Sequence, residues 1–433
     1  MSKPDRGVPR IHLASLGCAK NLVDSERLLA RLATAGGLVG AAEEDADVII
    51  VNTCGFIGPA IAESLETIRD YAARKSASQK LLVMGCLVER DIEEIGAEVP
   101  EVDGVFGLGR HDEIVAACGL NAEPEDGARL LLTSRHTAYL RISDGCDNRC
   151  SYCTIPAIRG PFRSRPADEI VSEARQLVEL GVRELNVIGQ DTTSYGMDLD
   201  GSVGIAGLLG RLAGIPELRW LRLLYTHPAY FTDGLIEAYA SIGVLCRYVD
   251  LPLQHASDGI LRRMGRHATQ AESVRLIERL RERVPDVAIR TTFIVGFPGE
   301  TRAQFDELVD LVERLRFDHV GVFRYSNEAG TAAAKMPEQV SERTKAKREK
   351  ALMLAQQWIA LEKNRSMLGK VVEVLIDQPT DEPGLWIGRT RTQAPDVDSV
   401  TFVHAGEAGA IAPGDFVAAQ IVDVAGYDLI AQA

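Results

Sequence analysis

Short apolar runs, each followed by a stretch with helical spacing, fill the first three quarters of the chain. Ile11–Gly17, Asp47–Thr53 and Lys80–Gly85 have the near-continuous apolar character of strands buried on both faces of a parallel sheet. Helices are predicted between them, over Asn21–Leu32 and Pro59–Tyr71. Six further strand-like runs follow: Ala138–Asp144, Leu185–Gln190, Trp220–Tyr225, Tyr248–Leu253, Val287–Val295 and His319–Tyr325. Amphipathic stretches such as Ala167–Leu180 and Thr269–Val284 separate them. This alternation predicts a second parallel sheet, barrel-like or doubly wound. Six units fall short of the eight that close a barrel, so a partial (β/α)6 barrel with a side mouth is expected. A charged helix over Ser341–Asn364 comes next. The tail then changes to short alternating runs, Val371–Ile376, Trp386–Thr392, Val400–Val403 and Phe416–Val424, broken by Pro, Gly and Asp. That pattern predicts a small all-β barrel.

The fold class is therefore α/β in three parts. An N-terminal parallel-sheet α/β domain covers residues 10–122. A central partial barrel with a trailing helix covers 132–365, and a small β-barrel covers 366–433. A Pro/Glu/Asp/Gly stretch, Asn121–Arg129, links the first two.

Composition narrows the class of protein. The chain has 433 residues, 46% hydrophobic and 25% charged, enough to build large cores and too apolar for wholesale disorder. Its 48 Lys and Arg against 62 Asp and Glu give a net charge of −14, which argues against broad nonspecific nucleic-acid binding. No apolar run approaches the ~20 residues of a membrane helix. The only early apolar stretch, Ile11–Cys18, is short for a secretory core and carries His12 and Ser15. A cytoplasmic protein with no membrane partner is expected. Eight cysteines are too sparse for a disulfide scaffold, and in a reducing compartment they point to metal binding or chemistry.

Their positions decide between these uses. Cys18, Cys54 and Cys86 each follow one of the first three predicted strands, at spacings of one β-α repeat. Parallel strands end on one edge of their sheet, so these three thiols can converge there. A single buried cysteine would be a small hydrophobe; three at equivalent ends favour ligands. Cys118 and Cys246 sit in apolar settings and read as structural.

The remaining three lie in Asp144-Gly145-Cys146-Asp147-Asn148-Arg149-Cys150-Ser151-Tyr152-Cys153, with spacing Cys-x3-Cys-x2-Cys. A structural zinc site wants four protein ligands, usually two pairs, and no second local pair is present. An iron–sulfur cubane has four ligand positions, and three cysteines leave one iron open.

Cys-x3-Cys-x2-Cys with Tyr152 before the last cysteine resembles the radical S-adenosyl-L-methionine (SAM) superfamily, whose partial barrel the six β-α units match. Ser15-Leu16-Gly17-Cys18-Ala19-Lys20-Asn21, Asn52-Thr53-Cys54-Gly55-Phe56 and Gly85-Cys86 narrow the resemblance to the methylthiotransferases. Within them the chain looks like the protein-directed branch, which modifies an aspartate of small-subunit ribosomal protein S-twelve. The resemblance covers residues 11 to 433, and the terminal barrel is similar to the TRAM domain. Position 19 is Ala, where that branch often carries Pro.

The resemblance implies two [4Fe-4S] clusters, one on Cys146, Cys150 and Cys153 and one on Cys18, Cys54 and Cys86. SAM would chelate the open iron of the first and be cleaved by one electron to a 5′-deoxyadenosyl radical. The second would carry the sulfur to be transferred. The implied enzyme uses two SAM molecules, one to methylate the sulfur and one to remove hydrogen from the substrate β-carbon. It implies an electron donor of the flavodoxin or ferredoxin type. No catalytic residues are assigned beyond the cluster ligands.

SAM-binding residues are expected at strand ends. Tyr152 belongs to the cluster loop. Gln190 and Asp191 close the second barrel strand, where Asp191 suits the SAM ammonium or, equally, a helix N-cap. Gln254 closes the fourth strand. Arg290 and Gly296 lie in a run resembling the superfamily's fifth-strand motif, Gly296 allowing close backbone approach, although Phe297-Pro298-Gly299 also suits a plain turn. His227 and His255 are expected to be structural. Six arginines and two aspartates between Ser134 and Arg165 give a local charge of +4. Arg159 or Arg163 is expected to meet the substrate carboxylate, surface solubility being the alternative.

The terminal barrel separates a protein substrate from tRNA, the substrate of the sister branch. From Ser366 on there are three basic and ten acidic residues, a balance of −7. Such a surface repels phosphate and complements a basic ribosomal protein, so tRNA is the less expected partner. An iron–sulfur electron carrier is a third reading, against which the open iron position argues.

Overall fold

The structure, a computed structural model, describes residues 7–121, 129–201, 203–406 and 411–433. The expected linker thus lies outside the described residues except at its two ends. The chain forms two compact units. One is Met1–Leu132 with Asp144–Asn148 and Cys153–Arg163; the other is Thr133–Ser143 with Arg149–Tyr152 and Ser164–Ala433.

The first unit is built on a five-stranded parallel sheet in the order Leu38–Val39, Arg10–Ser15, Val48–Thr53, Lys80–Gly85, Gly104–Phe106. The stretches Val48–Val51 and Leu81–Met84 in its central strands are apolar throughout because both faces are covered. Ile49, Val51, Leu81 and Val83 pack into one core and Val48, Ile50, Leu82 and Met84 into the other. Helices Ala19–Thr34, Gly58–Arg74 and Cys86–Glu98 follow the three long strands. The two edge strands, two and three residues long, leave too little pattern to be expected from sequence. Strand order reverses between Arg10–Ser15 and Val48–Thr53, and such a switch point opens a crevice at the carboxyl ends of the strands.

In the second unit, Thr137–Arg141, Glu184–Ile188 and Trp220–Leu223 form one parallel sheet, and Tyr248–Asp250, Ala288–Val295 and His319–Arg324 form another. A parallel bridge, Leu221 to Leu245, lies at their junction. The six strands lie in chain order with no switch point, which is barrel-type winding and not the doubly wound alternative. Thr269 with Glu272 and Thr301 with Gln304 form capping boxes that start two of the intervening helices.

Helix Glu342–Arg365 leads to a closed five-stranded barrel in the order Val371–Pro379, Leu385–Thr390, Thr401–His404, Asp428–Gln432, Phe416–Ala425. Its fifth strand, Asp428–Gln432, was not expected; it completes the closure by pairing with Phe416–Ala425 on one side and Thr401–His404 on the other.

This small barrel seals the amino-terminal end of the six-stranded one. Glu184, the first residue of its strand, accepts hydrogen bonds from Arg389 (2.7 Å) and Arg222 (3.2 Å). Tyr248 donates to Asp398 at 2.6 Å and Tyr139 to Asp396 at 2.6 Å. Closed below in this way, the six-stranded barrel is left with its carboxyl ends for chemistry.

Candidate functional site

Three of the six expected ligand cysteines meet at the switch-point edge of the first sheet. Cys18 follows Arg10–Ser15 and precedes helix Ala19–Thr34, Cys54 follows Val48–Thr53, and Cys86 opens helix Cys86–Glu98 directly after Lys80–Gly85. The strands are in register, Ser15 beside Asn52 and Thr53 beside Gly85, so the chain leaves the sheet at one level three times. Glycines make the approach close. A Cβ on Gly17 would lie 2.8 Å from Cys54 Cβ, and one on Gly55 would lie 2.7 Å from the Cys86 carbonyl oxygen. Gly85 has φ +106°, and a Cβ there would strike Asn52 Oδ1 at 2.3 Å.

A polar girdle holds this edge. Asn52 donates to the Asn21 carbonyl (2.8 Å) and to Ser25 (2.9 Å), and Asn21 donates to the Thr53 carbonyl (2.8 Å). Cys54 and Cys86 are buried while Cys18 is exposed. Burial pushes the Cys54 thiol up, an effect that Cys18 and Glu63 add to and Arg159 opposes. Burial pushes the Cys86 thiol up to about 12, against the pull of Arg159. Buried thiols of this kind stay protonated until a metal displaces the proton. Among the described residues no group of three or more His, Cys, Asp or Glu is close enough to hold a single metal ion. What recommends the edge for an iron–sulfur cluster is its donor set, three cysteine sulfurs brought to one level by three strands in register.

The other three cysteines lie on a loop divided between the units. In the first unit, Cys146 N donates to the Gly160 carbonyl at 3.2 Å, and Asp147 Oδ1 accepts from Phe162 N at 2.9 Å. Gly145, at φ +70°, leaves no room for a side chain, since a Cβ would lie 2.0 Å from the Pro161 carbonyl oxygen. In the second unit, Arg266 Nη1 lies 3.9 Å from Cys150 Sγ and Arg266 Nη2 donates to the Pro252 carbonyl at 2.8 Å. Ser151 is tied at three points, to the Met264 and Arg263 carbonyls and to Ala333 N. Tyr152 packs against the cluster of Ile260, Met264, Phe297, Tyr325 and Ala333.

The expected SAM residues divide. Gln254 occupies a strand end with φ +71° and a parallel bridge to Phe293. Asp191 is buried, and its carboxylate accepts from Thr193 N (3.1 Å), Thr193 Oγ1 (2.6 Å), Ser194 N (3.3 Å) and Ser194 Oγ (2.9 Å). It caps a series of turns over 192–200 and not the helix anticipated there. Gln190, beside it, follows the same strand. Gly296 has φ +73°, but the group that fills the space beside it is the Lys345 side chain, 2.3 Å from where a Cβ would sit. Arg290 is displaced from the expected role. It lies in the amino-terminal half of its strand, and its guanidinium is 3.3 Å from Asp250 and 3.3 Å from Asp398 of the terminal barrel.

Arg159 also corrects an expectation. Its side chain is 2% exposed and pairs with Asp24 at 3.0 Å, so it is not presented to a substrate carboxylate. Arg141 is buried and Arg165 pairs with Glu173 at 2.7 Å, whereas Arg163 is exposed. Sequence spacing holds no signal for Arg159 with Asp24, a contact across 135 positions. It holds none for Arg266 beside Cys150 either. His227 and His255 are both buried. Each Nδ1 accepts a nearby backbone N–H, at 3.2 Å and 2.9 Å, and burial with Arg266 and His267 nearby pushes the His227 imidazole down to about 3. Cys118 and Cys246 are buried, and burial raises the Cys118 thiol to about 11.

Comparison with known proteins adds the family. The Radical SAM superfamily profile matches residues 140–312, that of uncharacterized protein family UPF0004 matches residues 10–107, and that of the TRAM domain matches residues 368–433. Ribosomal protein uS12 methylthiotransferase RimO of Pelotomaculum thermopropionicum is 46% identical over 440 residues, 97% of this chain and 98% of that protein. The chain belongs to the RimO family. The RimO protein of Geobacter sulfurreducens is 45% identical, over 98% of each chain. Among solved structures, the radical S-adenosylmethionine methyltransferase TsrM of Kitasatospora setae superposes with a TM-score of 0.53 at 18% identity, over 73% of this chain and 75% of that one. That similarity is one of fold.

Proposed function

We propose that this RimO-family chain is a radical SAM methylthiotransferase that adds a methylthio group to the β-carbon of an aspartate in ribosomal protein uS12. The observation that carries the reading is the pair of cysteine triads, one at the switch point of a parallel sheet and one on the loop after the first barrel strand. In this reading Cys146, Cys150 and Cys153 hold one [4Fe-4S] cluster and Cys18, Cys54 and Cys86 hold a second. When bound, SAM and the clusters supply a 5′-deoxyadenosyl radical and a transferable sulfur.

The chain's own residues do the rest. Gly145 and the Cys146–Gly160 hydrogen bond fix the loop that presents Cys146, while Ser151 and Arg266 fix Cys150. Tyr152, Gln190, Asp191, Gln254 and Gly296 border the SAM site, Asp191 by shaping its turn. Arg290 is left out because its charge is committed to Asp250 and Asp398. The parts work as domains over residues 10–122, 132–365 and 366–433.

Charge supports a basic protein as substrate. Asp381, Glu382, Asp415 and Asp423 are exposed on the terminal barrel, against one exposed base, Lys370. Arg389 is buried with Glu184 and Asp377. Such a face attracts lysine- and arginine-rich partners and repels phosphate. Among the described residues no helix is long and apolar enough to cross a membrane; we place the reaction in the cytoplasm, with a flavodoxin- or ferredoxin-type electron donor.

Two triple variants test the division of labour. Replacing Cys18, Cys54 and Cys86 by Ala should leave SAM cleavage to 5′-deoxyadenosine and abolish sulfur insertion. Replacing Cys146, Cys150 and Cys153 should abolish cleavage while iron remains at the other triad. Loss of cleavage in the first variant overturns the assignment.

A further inference from the structure

Arg159 reaches the switch-point cysteines from the short helix Ile155–Arg159, which closes the segment just after the Cys146–Cys153 loop. Its Nη2 donates to Asn21 Oδ1 at 2.7 Å and Asp24 Oδ2 at 3.0 Å, and lies 3.5 Å from Cys86 Sγ. Its Nη1 donates to both oxygens of Asp144, at 3.3 and 3.4 Å. The side chain is 2% exposed, Asp24 is 9% exposed and Asp144 is 43% exposed. All these groups belong to the first unit.

This is an unusual use of a buried cation. A guanidinium taken out of water needs compensation, and one buried carboxylate, Asp24, already balances its charge. Yet Arg159 is also turned onto a cysteine, and its field reaches Cys18, Cys54 and Cys86 alike. A cluster held by three thiolates carries net negative charge, and its reduction adds one more. A fixed cation at that edge, screened from water, favours whichever form of the centre holds the extra electron.

We propose that Arg159 is a positioning residue of the Cys18/Cys54/Cys86 site: its guanidinium anchors the anionic cluster held there and raises its reduction potential. Asp144, on the solvent side of the same guanidinium, opposes it and lowers that potential. The inference rests on the reading that these three cysteines hold an iron–sulfur cluster.

The test isolates that cluster in a Cys146→Ala, Cys150→Ala, Cys153→Ala parent and follows its reduction by EPR across a series of applied potentials. Arg159→Gln should lower the reduced-to-oxidised ratio at a fixed potential about tenfold, a midpoint about 59 mV lower for one electron. Arg159→Lys should recover most of the shift, which a purely structural role for the planar guanidinium would not allow. Asp144→Asn, at a half-exposed position, should move the midpoint the opposite way. If Arg159→Gln holds no cluster, Asp144→Asn alone decides: an upward shift supports the proposal and an unchanged midpoint overturns it. Equal midpoints in all variants, or Asp144→Asn shifting with Arg159→Gln, overturn the role of Arg159 alone. A parent without iron–sulfur absorption overturns the cluster assignment and this inference together.

Discussion

Glu184→Gln is the perturbation that most directly probes how the two barrels of the second unit are held together. Glu184 has no exposed side-chain surface and faces two guanidinium groups, Arg389 at 2.7 Å and Arg222 at 3.2 Å, with Thr137 donating at 2.9 Å. Burial alone would raise its pKa; Arg389 and Arg222 outweigh burial and pull it from 4.5 down to about 2. A shift of that size corresponds to roughly 3 kcal/mol. Because the folded-state pKa is the lower one, this stability is fully present above pH 4.5 and is lost as pH falls towards 2. Removing one member of a buried ionic network costs about 3–5 kcal/mol by an independent route, because the partners stay buried and charged. Arg222, wholly buried, would keep the Arg391 carbonyl at 2.8 Å and the Tyr248 ring but lose the carboxylate charge that compensates it.

All three tryptophans, Trp220, Trp358 and Trp386, lie in the second unit, so their fluorescence follows its unfolding in urea without interference from the first. Glu184→Gln should lower the stability of that transition by about 3 kcal/mol at pH 7, with the difference shrinking below pH 4.5. Arg302→Ala, which breaks the exposed pair with Asp306, should leave the transition unmoved. A Glu184→Gln effect under about 1 kcal/mol, or one that does not fade in acid, would refute the argument.

Two glycine substitutions should separate the cysteine sites. Gly145→Ala drives a Cβ into the Pro161 carbonyl and should reduce SAM cleavage by about 10²-fold, with iron at the other triad retained, as measured by 5′-deoxyadenosine release and iron analysis. Gly85→Ala, at φ +106° against Asn52 Oδ1, should do the reverse: lower iron content with cleavage largely intact.

How much of this was legible in the sequence follows from range. The expected parallel strands announce themselves by runs that are mostly apolar, most clearly in Val48–Thr53, which is buried throughout. The cysteines announce themselves by standing at strand ends, since the topology converts a repeat spacing into a common edge. What failed depended on contacts between distant segments. Arg159 looked available because Asp24, which pairs with it, lies on a helix at the other end of the first unit's sequence. Arg290 looked like part of a SAM motif because its partner Asp398 arrives from the terminal barrel, more than a hundred residues on. Asp191 was half legible: its Thr-Thr-Ser sequel signals a cap, but not that turns follow in place of a helix. The acidic tail was over-counted for the same reason, as Asp377 and Asp398 turn inward onto Arg389 and Arg290. Strand Asp428–Gln432 escaped notice because its five residues acquire meaning only from the two strands that flank it.

The substrate is the central claim, and one measurement addresses it. Anaerobically reconstituted protein, given SAM, a low-potential reductant and sulfide, is offered purified ribosomal protein uS12 or bulk tRNA in separate reactions, and each product is examined by mass spectrometry. The account predicts a methylthio mass increment on a single aspartate of the ribosomal protein and none on tRNA. A methylthiolated adenosine in the tRNA, with the protein unmodified, would contradict it.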